Sequence, residues 1–447
     1  MARRLRGWRP PPLGPRARVS ATLVLVAVLL DIGVDYGVDV PLTLLAGFGV
    51  AYRALEPERD HVAYAAVLLA AGLAWAGFPQ QSNHANVSAV LLAAAAVYRT
   101  ARGARSDADW ERFFRLSAAV IYASAGFHKL NTDFLWEPTS CAAFFAERLA
   151  VRNGVAAALV QGWPPAMFSL PVVALELGIA ALLLRRRTFK VAFVLCTLLH
   201  VPIAFAGVED FGAVMFAVVL AGAPIGVHER LWRSRWHLAG VAAMALVQSI
   251  CGHVTEVRML LREPATHLVS GSAFAIGAGL LVHAVLSARV EPTPAPRFAR
   301  WQLLGACLIA LWTVQPYVGL SNAGTLTMFS NLSTRRGQSN HLLVPDGPKP
   351  FELEEDAYLL TDLEADYRFQ RGVDLVGRYV PRAVLHRMVH EWTDGGRRPV
   401  RGAWYREGVH TGPGDLRELV LSVEAHWYDS LLVFRTSPPD GPRTCEW

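Results

Sequence analysis

The sequence predicts an all-α polytopic membrane bundle of about nine to eleven transmembrane helices, followed by a small α+β extramembrane domain. Three observations predict it. Of the 447 residues, 53% are hydrophobic and only 18% charged, where a soluble domain carries about 25% charged residues. The apolar residues fall in repeated runs of about 16–20, the length a helix needs to cross about 30 Å of hydrocarbon. After residue 320 the composition turns polar, charged and rich in Gly and Pro. A closed β-barrel is the other fold that satisfies its backbone inside lipid. It shows alternating segments of about ten residues, and these runs do not alternate.

Residues 1–19 are a basic, Pro-rich arm carrying Arg3, Arg4, Arg6, Arg9, Arg16 and Arg18. The apolar run behind it holds Asp31 and Asp35 and lacks a small-residue cleavage site, so it reads as an uncleaved first helix. Candidate spans cover roughly 20–35, 38–52, 62–78, 84–99, 113–129, 165–184, 190–206, 211–227, 236–251, 268–287 and 302–320. The first two also read as one span with a re-entrant piece. A transmembrane domain then occupies 20–325 and a tail domain 326–447. In the tail, Ala403–Tyr405 and Leu431–Phe434 read as strands, and 380–392, after Pro381, as a helix.

Charge sets an orientation. With the arm in the cytoplasm, alternation puts Arg53 and Arg59, then Arg99, Arg102 and Arg105, then Arg185–Arg187 and Lys190, then Arg230, Arg233 and Arg235, then Arg289, Arg297 and Arg300 on the same side. The opposite turns are poor in Lys and Arg: 78–83 has no charge, and 207–210 has only Glu209 and Asp210. This is the positive-inside pattern of a multi-pass cell-membrane protein with its tail outside. The net charge of +6 is therefore topological, and nucleic acid is not an expected partner. Five cysteines form no CxxC or metal-ligand spacing; Cys141 and Cys445 both fall outside and can pair.

Ionisable groups within spans are costly, about 2.5–3.5 kcal/mol at mid-membrane. Lys129 closes the fifth span in YASAGFHKLN. It reads either as a lysine snorkelling to the headgroups or as a partly desolvated amine able to act as a base. Ala125 and Gly126 on that helix allow close approach of a neighbour. His84 opens the fourth span after Gln80-Gln81-Ser82-Asn83, an uncharged hydrogen-bonding turn. His200 precedes Pro202, whose ring frees a carbonyl near Leu198 for a bond within the kink. Glu176 sits mid-span and needs a partner or a proton. His84, Lys129, His200 and Glu209 come from different helices, and the topology carries all four to the outer half of the membrane. The chain has no HExxH, P-loop or GxSxG motif.

At these residues the sequence resembles the vitamin K-dependent γ-carboxylases and their bacterial relatives, the horizontally transferred transmembrane domain (HTTM) proteins. The runs YASAGFHKLNTDF (122–134), SNHANVSAVLLA (82–93) and LLHVPIAFAGVEDFGAVMFAVVLAGAP (198–224) carry the resemblance, and MFSNLSTRRGQSNHLLVP (328–345) resembles the tail entry of the bacterial proteins. The resemblance implies Lys129 as the base that deprotonates a vitamin K-like hydroquinone, His84 as its support and His200 as a further catalytic histidine. Asn83, Tyr122, His128 and Glu209 would bind substrate. It implies a reduced quinone, O2 and CO2 as co-substrates, no metal, and a peptide or protein substrate on the outer face, with glutamyl carboxylation as one outcome. This chain departs from the carboxylases in two ways. His128 replaces the first of their two lysines, and the tail is much shorter. The other function the sequence allows is a non-catalytic membrane protein for peptide maturation, export or immunity, its polar groups serving as interhelical glue.

Overall fold

The computed structural model describes Val87, 107–153, 160–253, 263–290, 303–327, 329–364, 375–386, 401–406, 409–415, 426–438 and isolated residues at 158, 418, 441–443 and 445. The chain divides into two compact units. Unit one holds the described residues up to Phe127 together with Ala143–Ala310. Unit two holds His128–Ala142 and the residues from Leu311 onward.

Unit one is helical. Its elements are α1 (Asp107–His128, whose last residue belongs to unit two), α3 (Cys141–Arg152, which begins in unit two and joins unit one from Ala143), α4 (Ala166–Leu183), α5 (Phe189–Phe205), α6 (Glu209–Ala221), α7 (Ile225–Arg233), α8 (Arg235–His253), α9 (Glu263–Ser287) and α10 (Leu304–Thr313, which passes into unit two at Leu311). The intervening α2 (Thr132–Trp136) belongs to unit two.

Of the expected spans, the first four lie outside the described residues apart from Val87. Three of the others are helices long and apolar enough to cross a membrane: Ala166–Leu183, Arg186–Phe205 and Ala265–Ser287. The run at 211–227 is instead a pair of helices meeting at 114°. Pro224 explains the break, because its ring removes a donor and turns the preceding residue away from helix. The run at 113–129 is helical from Asp107, but its first turns bury Glu111, Arg112 and Arg115. The runs at 236–251 and 302–320 give shorter apolar helices, Trp236–Val247 and Leu304–Thr313, and the latter run breaks before α11 (Gln315–Val318). The described residues thus carry three spanning helices, or four if the bent pair is one span.

Each long helix buries one stripe and exposes another. On α4 the buried stripe is Ser169, Val173, Glu176, Ala180 and Leu183, the three- and four-residue spacing of one helix face. Met167, Leu170, Ala181 and Leu184 lie on the exposed side. On α5 the buried stripe runs Phe189, Ala192, Phe193, Cys196, Leu199, His200 and Ala204. The inward faces therefore carry the polar residues and the outward faces are apolar, as a lipid solvent requires.

Small residues let the helices of unit one close up. A Cβ on Gly222 would lie 2.5 Å from the backbone nitrogen of Arg115, and one on Gly126 would lie 2.9 Å from Leu177 Cδ2. The first clash is with backbone, which cannot rotate away. At the other end of this contact, Glu111 pairs with Arg115 at 2.7 Å and with Arg186 Nε at 3.2 Å, which satisfies a carboxylate that burial would otherwise penalise.

Unit two carries a four-stranded antiparallel sheet of β1 (Ala357–Glu364), β2 (Arg378–Pro381), β3 (Arg401–Arg406) and β4 (Val409–Asp415) in the order β2-β1-β3-β4. Ala357 pairs with Pro381, and Leu360 with Trp404. The expected strand at 403–405 is part of β3. Helical residues 382–386 follow Pro381, and 387–392 lie outside the described residues. The expected strand at 431–434 is a correction: Asp429–Leu431 is a 3₁₀ turn, and the Val433 carbonyl accepts from Asn322 and Ala323 instead of joining the sheet. Arg382 holds this end of the unit together through Asp356 at 2.6 Å and Asp429 at 3.0 Å.

The C-terminus is stapled down. Cys141 and Cys445 form a disulfide across 304 residues of sequence. Beside it, Arg443 N–H donates to Asp133 at 2.7 Å, and its guanidinium reaches the Thr436 carbonyl at 2.9 Å. Two substitutions test these descriptions. Gly222→Ala drives a methyl into the Arg115 backbone and should destabilise unit one by about 1–3 kcal/mol, seen as a lower unfolding midpoint in detergent; an unchanged midpoint contradicts the close contact. Cys445→Ser should cost unit two about 2–5 kcal/mol, read as earlier proteolysis of residues 426–447 while unit one stays intact.

Candidate functional site

Two clusters of buried polar side chains stand out, one in each unit. The first lies on the inward stripes of α1, α4 and α5. Tyr122 is buried on α1, and its hydroxyl sits 2.8 Å from His200 Nε2 and 2.9 Å from Cys196 Sγ. A phenol has one proton, so it donates to one of these atoms while its oxygen accepts from the other. Cys196 and His200 are four residues apart, which places both on one face of α5. The contact is thus written into the helix period. The imidazole turns its Nε2 toward Tyr122.

Aromatic rings enclose this histidine. Phe211 and Phe216 approach it edge-on at 5.1 and 5.9 Å between centroids, and Phe274 stacks on Phe216 at 5.5 Å. Gly212 lets this wall approach, since a Cβ there would lie 2.6 Å from Phe274. Glu176, buried on α4, belongs to the same neighbourhood. The result is a hydrogen-bonded phenol, thiol and imidazole set in an apolar, water-poor surround, where each polar contact is stronger than it would be in water.

The second cluster lies in unit two. His128 is buried, with Nδ1 2.8 Å from Tyr317 Oη and its ring stacked on the phenol. His341 meets the same Tyr317 ring edge-on at 5.3 Å. Lys129 is only 5% exposed, with Nζ 5.9 Å from the centre of the Phe134 ring, so it does not reach out to solvent. Asn131 ties this turn together. Its side-chain oxygen accepts from the Phe134 N–H at 2.8 Å and caps α2, and its amide donates to the carbonyls of His128 and Ser330.

Ser330 belongs to an irregular segment whose residues at 321–322, 325–327 and 329–334 are buried. Leu326, Phe329 and Asn331 adopt φ of 63°, 57° and 51°. Side chains other than Gly rarely take this left-handed conformation, and it costs about 1–3 kcal/mol at each residue. Arg435 stabilises it by donating to the Thr327 carbonyl at 2.8 Å.

The sequence-predicted residues therefore distribute as follows. Tyr122 and His200 meet in unit one. His128 and Lys129 pack in unit two. His84 and Asn83 lie outside the described residues, and Glu209 opens α6 with its side chain also outside them. Sequence reasoning missed Cys196, whose position four residues before His200 was the available signal. It also missed Tyr317 and His341, which lie 189 residues or more beyond His128 with no local pattern linking them. Among the described residues, no group of three or more His, Cys, Asp or Glu is arranged to hold a metal ion.

These features define a mostly helical membrane protein with buried polar clusters. Comparison with known protein families, with curated proteins and with solved structures finds no match. The Tyr122 contact makes a direct prediction. Tyr122→Phe deletes the hydroxyl shared by two buried groups and should lower stability by about 1–3 kcal/mol. Thermal unfolding in detergent checks it, and a midpoint equal to wild type contradicts the hydrogen bond.

Proposed function

We propose that this chain is an HTTM-type membrane enzyme that uses a reduced lipid quinone, with the site in the outer half of the bilayer, the arginine-rich loops cytoplasmic and the tail extracytoplasmic. One observation supports the reading most. Tyr122 and His200, residues that the resemblance singles out from runs 78 positions apart, share one hydrogen bond inside an apolar helical unit. The Cys141–Cys445 disulfide supports the orientation, because such bonds persist in oxidising compartments and not in the cytosol.

The residues present suit a flat, apolar ring with polar edges. Phe211, Phe216 and Phe274 make the surround of the Tyr122–His200 pair aromatic, the kind of lining a flat apolar ring packs against. The quinol, oxidised by O2, would supply a base strong enough to take a carbon-bound proton ahead of CO2 capture. The protein's part is narrower. Lys129, whose amine is buried within unit two, is the residue that the resemblance gives as the base for a quinol hydroxyl. His84 is the residue that the resemblance gives as the support of that base. The Tyr122–His200 bond holds the imidazole in one orientation within unit one, and the aromatic rings around it keep that surround apolar.

The test is turnover of a reduced vitamin K-like quinone under O2 by purified protein in nanodiscs, with epoxide as the product measured. Wild type should form epoxide. Lys129→Ala should lose about 10²–10⁴-fold in rate while remaining inserted and folded. Turnover that survives in Lys129→Ala contradicts the assignment. Absence of epoxide from wild type, with Lys129→Gln lowering stability alone, makes these side chains interhelical glue in a non-catalytic protein.

A further inference from the structure

A third set of buried polar side chains, on unit one, belongs to neither cluster. Glu111, Arg112 and Arg115, on the first turns of α1, are 5%, 7% and 8% exposed. Arg186 joins them from the 3₁₀ turn Arg186–Thr188, which links α4 to α5. Three guanidiniums thus gather around a single carboxylate.

That carboxylate is shared unevenly. Arg115 Nη1 donates to Glu111 Oε1 at 2.7 Å. Arg186 Nε lies 3.2 Å from the same oxygen. It is nevertheless a buried nitrogen with no hydrogen-bond partner among the described residues. Arg186 is within ion-pair range of Oε1, but its N–H lacks an aligned acceptor. Among the described residues, Glu111 attracts Arg115 while Arg186 and Arg112 both repel it. Burying cations with fewer anions than they need is costly, and so is burying a donor without an acceptor. A second anion would relieve both costs.

The position of the turn says where that anion comes from. Ala166–Leu183 and Arg186–Phe205 are both long and apolar enough to cross a membrane. The turn between them therefore lies where hydrocarbon gives way to water, at the level of the lipid phosphates. The Arg186 side chain is 21% exposed, which opens the group to that layer, whereas the Arg115 side chain is 10% exposed and lies deeper. Leu184 and Val191, on either side of the turn in sequence, are 56% and 53% exposed and offer apolar surface to acyl chains. A phosphate brings several acceptor oxygens and suits the N–H fork of a guanidinium.

We propose that Arg115 and Arg186, with Arg112 beside them, form a binding site for a phosphate group at the membrane surface. The apolar flanks favour the headgroup of an anionic lipid over free phosphate as its source. Arg186 supplies the outer donors and Arg115 the inner charge, while Glu111 stays on Arg115 and fixes its fork. This site is independent of the quinol reading and uses none of its residues.

The test is native mass spectrometry of the full chain in detergent with added dioleoylphosphatidylglycerol, dioleoylphosphatidylcholine or inorganic phosphate. Wild type should retain a single phosphatidylglycerol in preference to phosphatidylcholine. Arg186→Gln should weaken that retention by at least about tenfold, the loss of a hydrogen bond to a charged group. Arg187→Gln removes the same charge from an exposed neighbour and should leave retention unchanged. Retention of inorganic phosphate, lost in Arg186→Gln and without preference between the lipids, keeps the phosphate site and overturns the lipid as its source. No preference for either anion in wild type, or an equal loss in both variants, overturns the site. A measurement on wild type alone guards against misfolding of the variants. Phenylglyoxal modifies arginines, and peptide mass spectrometry should show Arg186 protected by phosphatidylglycerol while Arg187 reacts as before. Equal reaction at Arg186 with and without either anion overturns the site.

Discussion

The organising constraint of unit one is that its long helices turn apolar faces outward and polar groups inward. In water this would be unstable; in hydrocarbon it is the low-energy arrangement, since exposed leucines cost nothing there and an unpartnered polar atom costs several kcal/mol. Every polar group on an inward stripe then has to find its partner within the protein. Ser169 bonds the Pro165 carbonyl at 3.1 Å, Thr197 the Phe193 carbonyl at 3.0 Å, and Tyr122 reaches across to His200 and Cys196. The first two bonds are local and ask nothing of the fold. The third joins α1 to α5, so it fixes how these helices pack as well as how the imidazole is oriented.

Unit two meets the same demand by other means. Its irregular segment between Ser321 and Thr334 has little regular secondary structure to absorb its backbone groups, so side chains do it. Asn131, Asn322, Asn331 and Arg435 each bond main-chain atoms far away in sequence. Glu354 gathers Asn322 at 2.6 Å, Thr334 at 3.1 Å and Lys349 at 3.3 Å. Such a lattice holds three left-handed residues in place, and the disulfide at Cys141 lies within it, since the Cys141 N–H donates to Asn331 at 2.8 Å. Strain maintained by this much surrounding structure, next to His128 and Lys129, is the pattern expected where backbone geometry serves a site.

What the sequence revealed follows from how local each signal is. α4, α5 and α9 were legible because apolar content and length suffice to mark a helix in lipid. Tyr122 and His200 were visible as polar residues in costly places, though not their bond. The bend after Ala221 was signalled by Pro224 and passed over because the run remained apolar. The strand expected at 431–434 failed for the opposite reason: its run is apolar and aromatic as a strand's can be, but the Val433 N–H donates to the side-chain hydroxyl of Ser321, 112 positions away, instead of to a neighbouring strand. Arg186 was legible as a topological charge, though not its contact with Glu111, since no local pattern links the two.

The central claim is that the outward stripes of these helices face hydrocarbon while the inward stripes close a dry interior. Spin labels placed singly along α4, at Met167, Leu170, Ala181 and Leu184 and at Val173 and Ala180, test it most directly through collision with dissolved oxygen and with a water-soluble nickel chelate. The account predicts high oxygen and low nickel access at the first four positions, and low access to both at the other two. High nickel access along the Met167–Leu184 stripe, or no helical periodicity at all, would contradict it.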